Sequence, residues 1–341
     1  MDKLDQLLER WVEEKRIPGG VVDISVGDRF RYRKAVGWYH DGSGRRPMQL
    51  STMFDAASLT KVTSTLPSVL SLVADGRLGL DDPVARYLPA FGSPEVTIRH
   101  LLAHHSGLPA DLTGHKNREG GRDIAGEVMS LSLLSPPGTE VRYSDPGFIL
   151  LGWIVEKLTG ERLDAYAKRV VFEPAGMTDS TFNPPAALRP RIAATEAYKD
   201  GFIHGEVHDE KAFLLGGVCG SAGLFTTADD LFRYTRRWLY PDRYPLLTPE
   251  LVRESTRTQA PTRGLGWQVW AGEEDGLSCG PLWPHGSFGH TGFTGTSVWI
   301  APEQELTVIF LTSGVHFGRS NPVRFLRPEL HSLIYTSLFG E

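Results

Sequence analysis

Phe54-Asp55-Ala56-Ala57-Ser58-Leu59-Thr60-Lys61 leads directly into Val62, Leu66, Val69, Leu70 and Val73, apolar residues at helical spacing. The pattern predicts a helix that opens near Ser58. A spacing of three then places Lys61 one turn on, on the same face, so a hydroxyl and an amine share one pocket. Serine is a weak nucleophile at neutral pH and needs a neighbouring base, and a desolvated lysine of lowered pKa is such a base. A helix N-terminus adds unpaired N–H groups and partial positive charge, which favour both an alkoxide and a neutral amine. Taken alone, the same residues also describe an N-cap serine followed by a solvated lysine. Companion residues elsewhere decide between the two.

With 341 residues, 40% hydrophobic and 23% charged, the chain has the composition of a globular protein with room for one large core or two domains. Its net charge of −5 is spread without acidic or basic blocks, which argues against a nucleic-acid partner. Met1 to Val12 reads as an amphipathic helix with Leu4, Leu7, Leu8 and Trp11 on one stripe, and it lacks the apolar h-region of a signal peptide. No apolar run approaches the roughly 18 residues that span a bilayer. The expected location is therefore the cytoplasm, with no membrane partner. Cys219 and Cys279 lack disulfide-framework or metal-site spacing and are expected as free buried thiols.

Outward from Ser58, Val21 to Val26 and Phe30 to Val36 flank Gly27-Asp28 as a β-hairpin. Thr296 to Ile300 and Leu306 to Thr312 are β-branched runs too close together for a helical crossover, so they form an antiparallel pair. Pro322 to Leu338 reads as a closing helix with Phe325, Leu326, Leu330, Leu333 and Ile334 on its inner face. Between these ends the pattern is helical and loop-rich, punctuated by Pro83, Pro89, Pro109, Pro136-Pro137-Gly138 and Pro184-Pro185. The expected architecture is α/β (α+β): an antiparallel sheet flanked by helices and built from residues 1–78 and 240–341, with a mostly helical domain inserted at 79–239. A site would lie where the two meet.

Two further stretches change the weight on Ser58. Arg142-Tyr143-Ser144-Asp145-Pro146-Gly147-Phe148 precedes the helical run Ile149 to Leu158, and Gly289-His290-Thr291-Gly292-Phe293-Thr294-Gly295 precedes the strand from Thr296. Ser58-x-x-Lys61, Tyr143-x-Asp145 and His290-Thr291-Gly292, in that order, resemble the motifs of the serine β-lactamase and penicillin-binding-protein superfamily. Within it the chain is most similar to the class C β-lactamase-like branch, which also holds DD-peptidases and carboxylesterases. Leu101 to Pro109 and Gly220-Ser221-Ala222-Gly223-Leu224-Phe225 also resemble that branch. The likeness spans about residues 10–338.

The resemblance implies the β-lactamase/transpeptidase-like fold and a division of labour. Ser58 would be acylated, and Lys61 and Tyr143 would share the proton transfers. The backbone N–H groups of Ser58 and Phe293 would form an oxyanion hole worth about 10²–10³ in rate per donor. Asp145, His290, Thr291 and Gly292 would orient the substrate, and Asn321-x-x-Arg324 resembles a carboxylate-binding pair, although the same two residues also read as an N-cap and a solvated arginine. Residue chemistry agrees, because a phenol of pKa near 10 serves as a base only beside cations such as Lys61 and His290. Two departures stand out: Asp145 where the family usually has Asn, and His290 where many β-lactamases have Lys. A carboxylate beside Lys61 would hold the ammonium charged and shift proton transfer towards Tyr143.

Other constellations carry less. Cys219-Gly220-Ser221-Ala222-Gly223 misses the Gly-x-Ser-x-Gly nucleophile elbow and reads as a tight turn. His204 and His208 have helical metal-pair spacing, but Gly205 between them favours a loop; His104-His105 reads as packing near the Gly107 turn. No metal site, phosphate loop or dinucleotide fingerprint is expected, and hence no cofactor. The sequence thus predicts a serine hydrolase acting through a Ser58 acyl-enzyme on small esters or amides. A class C-like β-lactamase is the enzyme alternative, and a non-catalytic penicillin-binding sensor or scaffold is the alternative of another class. The loops around Asp111 to Arg122 and Glu273 to Gly286 are expected to shape the pocket.

Overall fold

The computed structural model describes residues 1–114, 118–270 and 278–340; residues 115–117 and 271–277, parts of the two loops expected to shape the pocket, lie outside the described residues. The β-branched runs pair as their pattern requires. Gly19–Val26 lies antiparallel between Phe30–His40 and Leu306–Thr312, and Leu306–Thr312 pairs on its other side with Ser297–Ala301. Arg45–Pro47 closes one edge of this seven-stranded sheet, while Phe288–Thr291 and then Gln268–Val269 extend the other. Three strands from the N-terminal part and four from the C-terminal part thus meet at the Gly19–Val26/Leu306–Thr312 pair to make one antiparallel sheet. This is the α/β sheet-and-helix class read from the sequence.

The central strands are buried along their whole length because helices cover both faces. On one face the predicted stripe Leu4, Leu7, Leu8 and Trp11 of Asp2–Glu13 joins Val323, Leu326, Leu330 and Ile334 of Val323–Phe339 over Val22, Ile24, Val308 and Phe310. On the other, Val62, Leu66, Val69 and Leu70 share a core with Val21, Val298, Ile309 and Leu311. Helix Ala228–Leu239, started by its Thr227 cap, also packs on this face and adds Leu231, Tyr234 and Trp238. Asp145–Thr159 and the short helix Leu163–Ala167 then pack on Leu66–Ala74, and Ile98–Leu102 packs on Asp145–Thr159.

Two details differ from the sequence reading. The helix after Ser58 begins with a π-helical segment, Lys61–Thr65, before becoming α-helical at Leu66–Ala74; such wide turns concentrate at functional sites. Phe325, expected on the inner face of the last helix, is 62% exposed, while Arg327 is buried instead. The reason is a polar demand: the Arg327 Nη2 donates to the carbonyls of Gly292 (2.6 Å) and Thr296 (2.9 Å), turning the helix so that a cation reaches the end of the strand. Cys219 and Cys279 are free and buried.

Candidate active site

Asp55 organises the turn that presents Ser58. Its buried carboxylate accepts the backbone N–H of Ala57 (2.8 Å) and of His208 (2.6 Å), so one side chain ties the turn to a distant loop. Ala57 is held at φ 47°, a left-handed conformation unfavourable for a residue with a side chain. The turn is also clasped from the sheet: Thr294 Oγ1 donates to the Asp55 carbonyl (2.8 Å) and Thr296 Oγ1 to the Ala56 carbonyl (3.0 Å). Gly292 sits so near that a Cβ there would lie 2.5 Å from the Ala56 oxygen. These contacts lock the segment that follows strand Phe288–Thr291 against the serine turn, so the Ser58 and Phe293 amides come from two pieces of backbone fastened together.

Lys61 lies below Ser58, as the three-residue spacing requires. Its Nζ donates to Ser58 Oγ (3.0 Å) and to the Ser221 carbonyl (2.9 Å), and it pairs with Asp145 Oδ1 at 2.7 Å. The glycine-rich passage is therefore a carbonyl wall for the lysine, packed so closely on helix Asp145–Thr159 that a Cβ on Gly220 would stand 2.0 Å from the Phe148 oxygen. The Nζ also lies 4.9 Å from the centroid of the Tyr143 ring. Burial opposes the Lys61 charge, but Asp145 and then Tyr143 outweigh it and raise its pKa. The charged form of Lys61 is therefore favoured.

Tyr143 stands between two neutral imidazoles. His104 stacks on it at 4.5 Å and accepts the Ser144 N–H on Nδ1 (3.0 Å), which leaves its proton on Nε2. His290 lies 5.8 Å away on the other side, with Nδ1 donating to the Thr291 carbonyl (2.8 Å), which leaves Nε2 as a bare acceptor. Burial, followed by the Lys61 charge, pushes His290 down to about 3, and burial carries His104 well below the usual imidazole range. Of the neutral and protonated forms of His290 that the sequence leaves open, burial beside Lys61 and Arg263 favours the neutral one, so His290 brings no cation to Tyr143.

Ser58, Tyr143, His290, Thr291, Gly292 and Phe293 line one cleft of ≈ 760 Å³. Asn321 and Arg324 line it too, but as separate groups: Asn321 Oδ1 accepts the Val323 N–H (3.1 Å), whereas exposed Arg324 stacks over Phe325 at 4.4 Å. Asp145, placed among the substrate-binding residues by the resemblance, is turned away into a buried ion network. Its second oxygen lies 3.4 Å from Lys211 Nζ, which also pairs with Asp111 (2.9 Å) and Asp209 (3.0 Å). Lys211, Asp209 and Arg327 carry no motif signal, and Asp55, His104 and Asp111 lie in stretches the sequence marked without assigning these side chains a role. His104, in the family-like stretch Leu101 to Pro109, read there as packing. His204 and His208 fall in a loop rather than on a helix, and no cluster of metal-ligating side chains occurs among the described residues.

Comparison with known proteins gives the family. The family model described as Beta-lactamase matches residues 4–330. A putative D-alanyl-D-alanine carboxypeptidase of Escherichia coli is 33% identical over 368 residues, covering 94% of this chain and 85% of that protein. An N-acetylmuramyl-L-alanine amidase of Bacillus subtilis is 33% identical, covering 92% and 81%. Among solved structures, EstCE1, a hydrolase with promiscuous acyltransferase activity, superposes with a TM-score of 0.78 at 22% identity over 97% of both chains. The chain belongs to the β-lactamase family and is a serine hydrolase of the β-lactamase/penicillin-binding-protein superfamily.

Proposed function

We propose that Ser58 is the nucleophile of an acyl-enzyme hydrolase that cleaves small amides or esters bearing a carboxylate. The observation that carries this reading is the position of the Lys61 amine, 3.0 Å from Ser58 Oγ and 2.7 Å from the Asp145 carboxylate, which favours its charged form. An ammonium held by a carboxylate cannot be the base. Tyr143 acts as its phenolate, paired with the Lys61 ammonium: it takes the Ser58 proton as Oγ attacks the carbonyl, becoming a phenol, and delivers that proton to the leaving nitrogen or oxygen, returning to the phenolate. The amides of Ser58 and Phe293 receive the oxyanion. Water then cleaves the acyl-enzyme by the reverse route, and the carboxylic acid leaves.

Charge on the cleft supports the substrate class. Its described lining holds Arg263, Arg319, Arg324 and Arg327 and no aspartate or glutamate, with Arg319 itself tied to Glu196 at 2.8 Å. Guanidinium groups recognise carboxylates. The names of the carboxypeptidase and amidase relatives fit amide substrates of this kind. The test is intact-protein mass during turnover of p-nitrophenyl butyrate and of an N-acyl dipeptide, in parent and Ser58→Ala enzymes. An acyl adduct lost with Ser58, together with dipeptide cleavage, is the expected result. Undiminished turnover by Ser58→Ala would overturn the nucleophile, and ester turnover without any dipeptide cleavage would overturn the amide reading.

A further inference from the structure

We propose that Lys211 is a positioning residue for the reaction, acting through Asp145 on Lys61. The proposal rests on the Ser58 acyl-enzyme reading. Asp145 carries one carboxylate between two ammonium groups: Oδ1 at 2.7 Å from Lys61 Nζ and Oδ2 at 3.4 Å from Lys211 Nζ. Lys211 is 1% exposed and is gripped from behind by Asp111 (2.9 Å) and Asp209 (3.0 Å). Asp209 also caps the following short helix through the Ala212 N–H (2.8 Å), so its carboxylate has a fixed position. The amine therefore has one well-defined place, and from it fixes the plane of the Asp145 carboxylate.

This arrangement is the physical companion of an aspartate at 145. An amide there would need no second cation. A buried carboxylate facing a single ammonium would instead draw Lys61 towards itself and away from Ser58 Oγ. With Lys211 pulling on the other oxygen, Asp145 is shared, and Lys61 keeps its 3.0 Å contact to the serine. The groups facing this network are few: Lys61 meets Tyr143, with His104 and His290 beyond it, and Cys219 neighbours Lys211. Lys211 is thus the one cation that meets Asp145 from the side away from Ser58 among the described residues.

A double-mutant cycle on the full chain, with p-nitrophenyl butyrate, tests the link. Lys211→Met should lower kcat/KM by about 10²-fold, the usual cost of a displaced catalytic group, mostly through kcat. The ascending limb of its pH profile should move to higher pH, because a cation that favoured the deprotonated base is gone. In an Asp145→Asn enzyme the same substitution should change kcat/KM by less than about threefold, near the usual scatter of independent effects. If Lys211→Met does not fold, Lys211→Gln removes the charge yet keeps an N–H donor for Asp209, and the same cycle and pH shift are expected. Equal losses in both backgrounds, or an unmoved pH profile, would overturn the role of Lys211. Loss of the Ser58 adduct in the parent enzyme would instead overturn the nucleophile assignment, so the two failures are distinguishable.

Discussion

Substituting Gly292 by alanine puts the proposed oxyanion hole at risk without touching any reacting side chain. The added methyl would lie 2.1 Å from Thr296 Oγ1, 2.5 Å from the Ala56 oxygen and 3.2 Å from the Ala57 Cβ. A carbon–oxygen contact settles at about 3.3–3.6 Å, so the strand end and the serine turn must part by about 1 Å. Threonine 296 can rotate, but the Ala56 carbonyl is backbone in a turn already pinned by Thr294 and Asp55. Parting the two segments separates the Phe293 amide from the Ser58 amide. Losing one such donor costs about 10²–10³ in kcat, while overpacking costs about 1–3 kcal/mol of stability. The assay is kcat and KM on p-nitrophenyl butyrate with a thermal melt alongside, and Gly92→Ala serves as control because nothing lies within 4 Å of its added methyl. The expected signature is a fall in kcat with KM little changed. A Gly292→Ala enzyme that melts lower yet turns over as fast as the parent would refute the placement of the Phe293 amide.

Three further outcomes follow from the packing and charges. His331 is fully buried and burial pushes it down to about 3; its unfolded value near 6.5 is higher, so it favours the native state above about pH 6.5 and withdraws that support as pH falls towards about 3, a loss of about 2 kcal/mol by pH 5. His331→Phe should flatten the decline in melting temperature between about pH 7 and 5, and an unchanged slope would count against it. Trp11, 0% exposed between the first helix and the sheet, should cost about 3–5 kcal/mol as Trp11→Ala in denaturant titration. Phe293 is 56% exposed at the cleft and stacks on His208 at 5.7 Å; Phe293→Ala keeps the backbone amide, so steady-state kinetics should show KM rising with kcat retained.

Strands and long helices were legible because burial on a sheet face or helix stripe selects residue types at a fixed period; Leu306 to Thr312 and the Leu4–Trp11 stripe are examples. Ser58 and Lys61 were legible because their spacing makes them neighbours whatever surrounds them. Lys211, Asp111 and Asp209 were not, since a buried ion in sequence is indistinguishable from a surface charge until the fold removes water from it. Phe325 and Arg327 show the same limit from the other side: periodicity assigned the phenylalanine inward, and two strand-end carbonyls reversed the order. Nor does any local signal separate the π-helical Lys61–Thr65 from an ordinary first turn. What fixes it is tertiary: Lys61 Nζ must meet the Ser221 carbonyl while Thr65 Oγ1 donates to that of Gly220 (2.7 Å).

The aspartate at 145 has consequences that run through the whole site. At an effective dielectric of about 20, opposite unit charges 2.7 Å apart attract by about 6 kcal/mol before desolvation, and burying each ion costs several kcal/mol. One pair by itself barely offsets that burial. The second attraction, at 3.4 Å to Lys211, is worth about 5 kcal/mol on the same scale and acts in the same direction, while Asp111 and Asp209 offset the burial of Lys211 itself. In the proposed mechanism an ionised Asp145 favours a protonated Lys61, and the Ser58 proton passes to Tyr143 acting as its phenolate. On that proposal the carboxylate at 145 gives the ammonium an electrostatic role and Tyr143 the proton transfer, with a second buried lysine holding the carboxylate from behind.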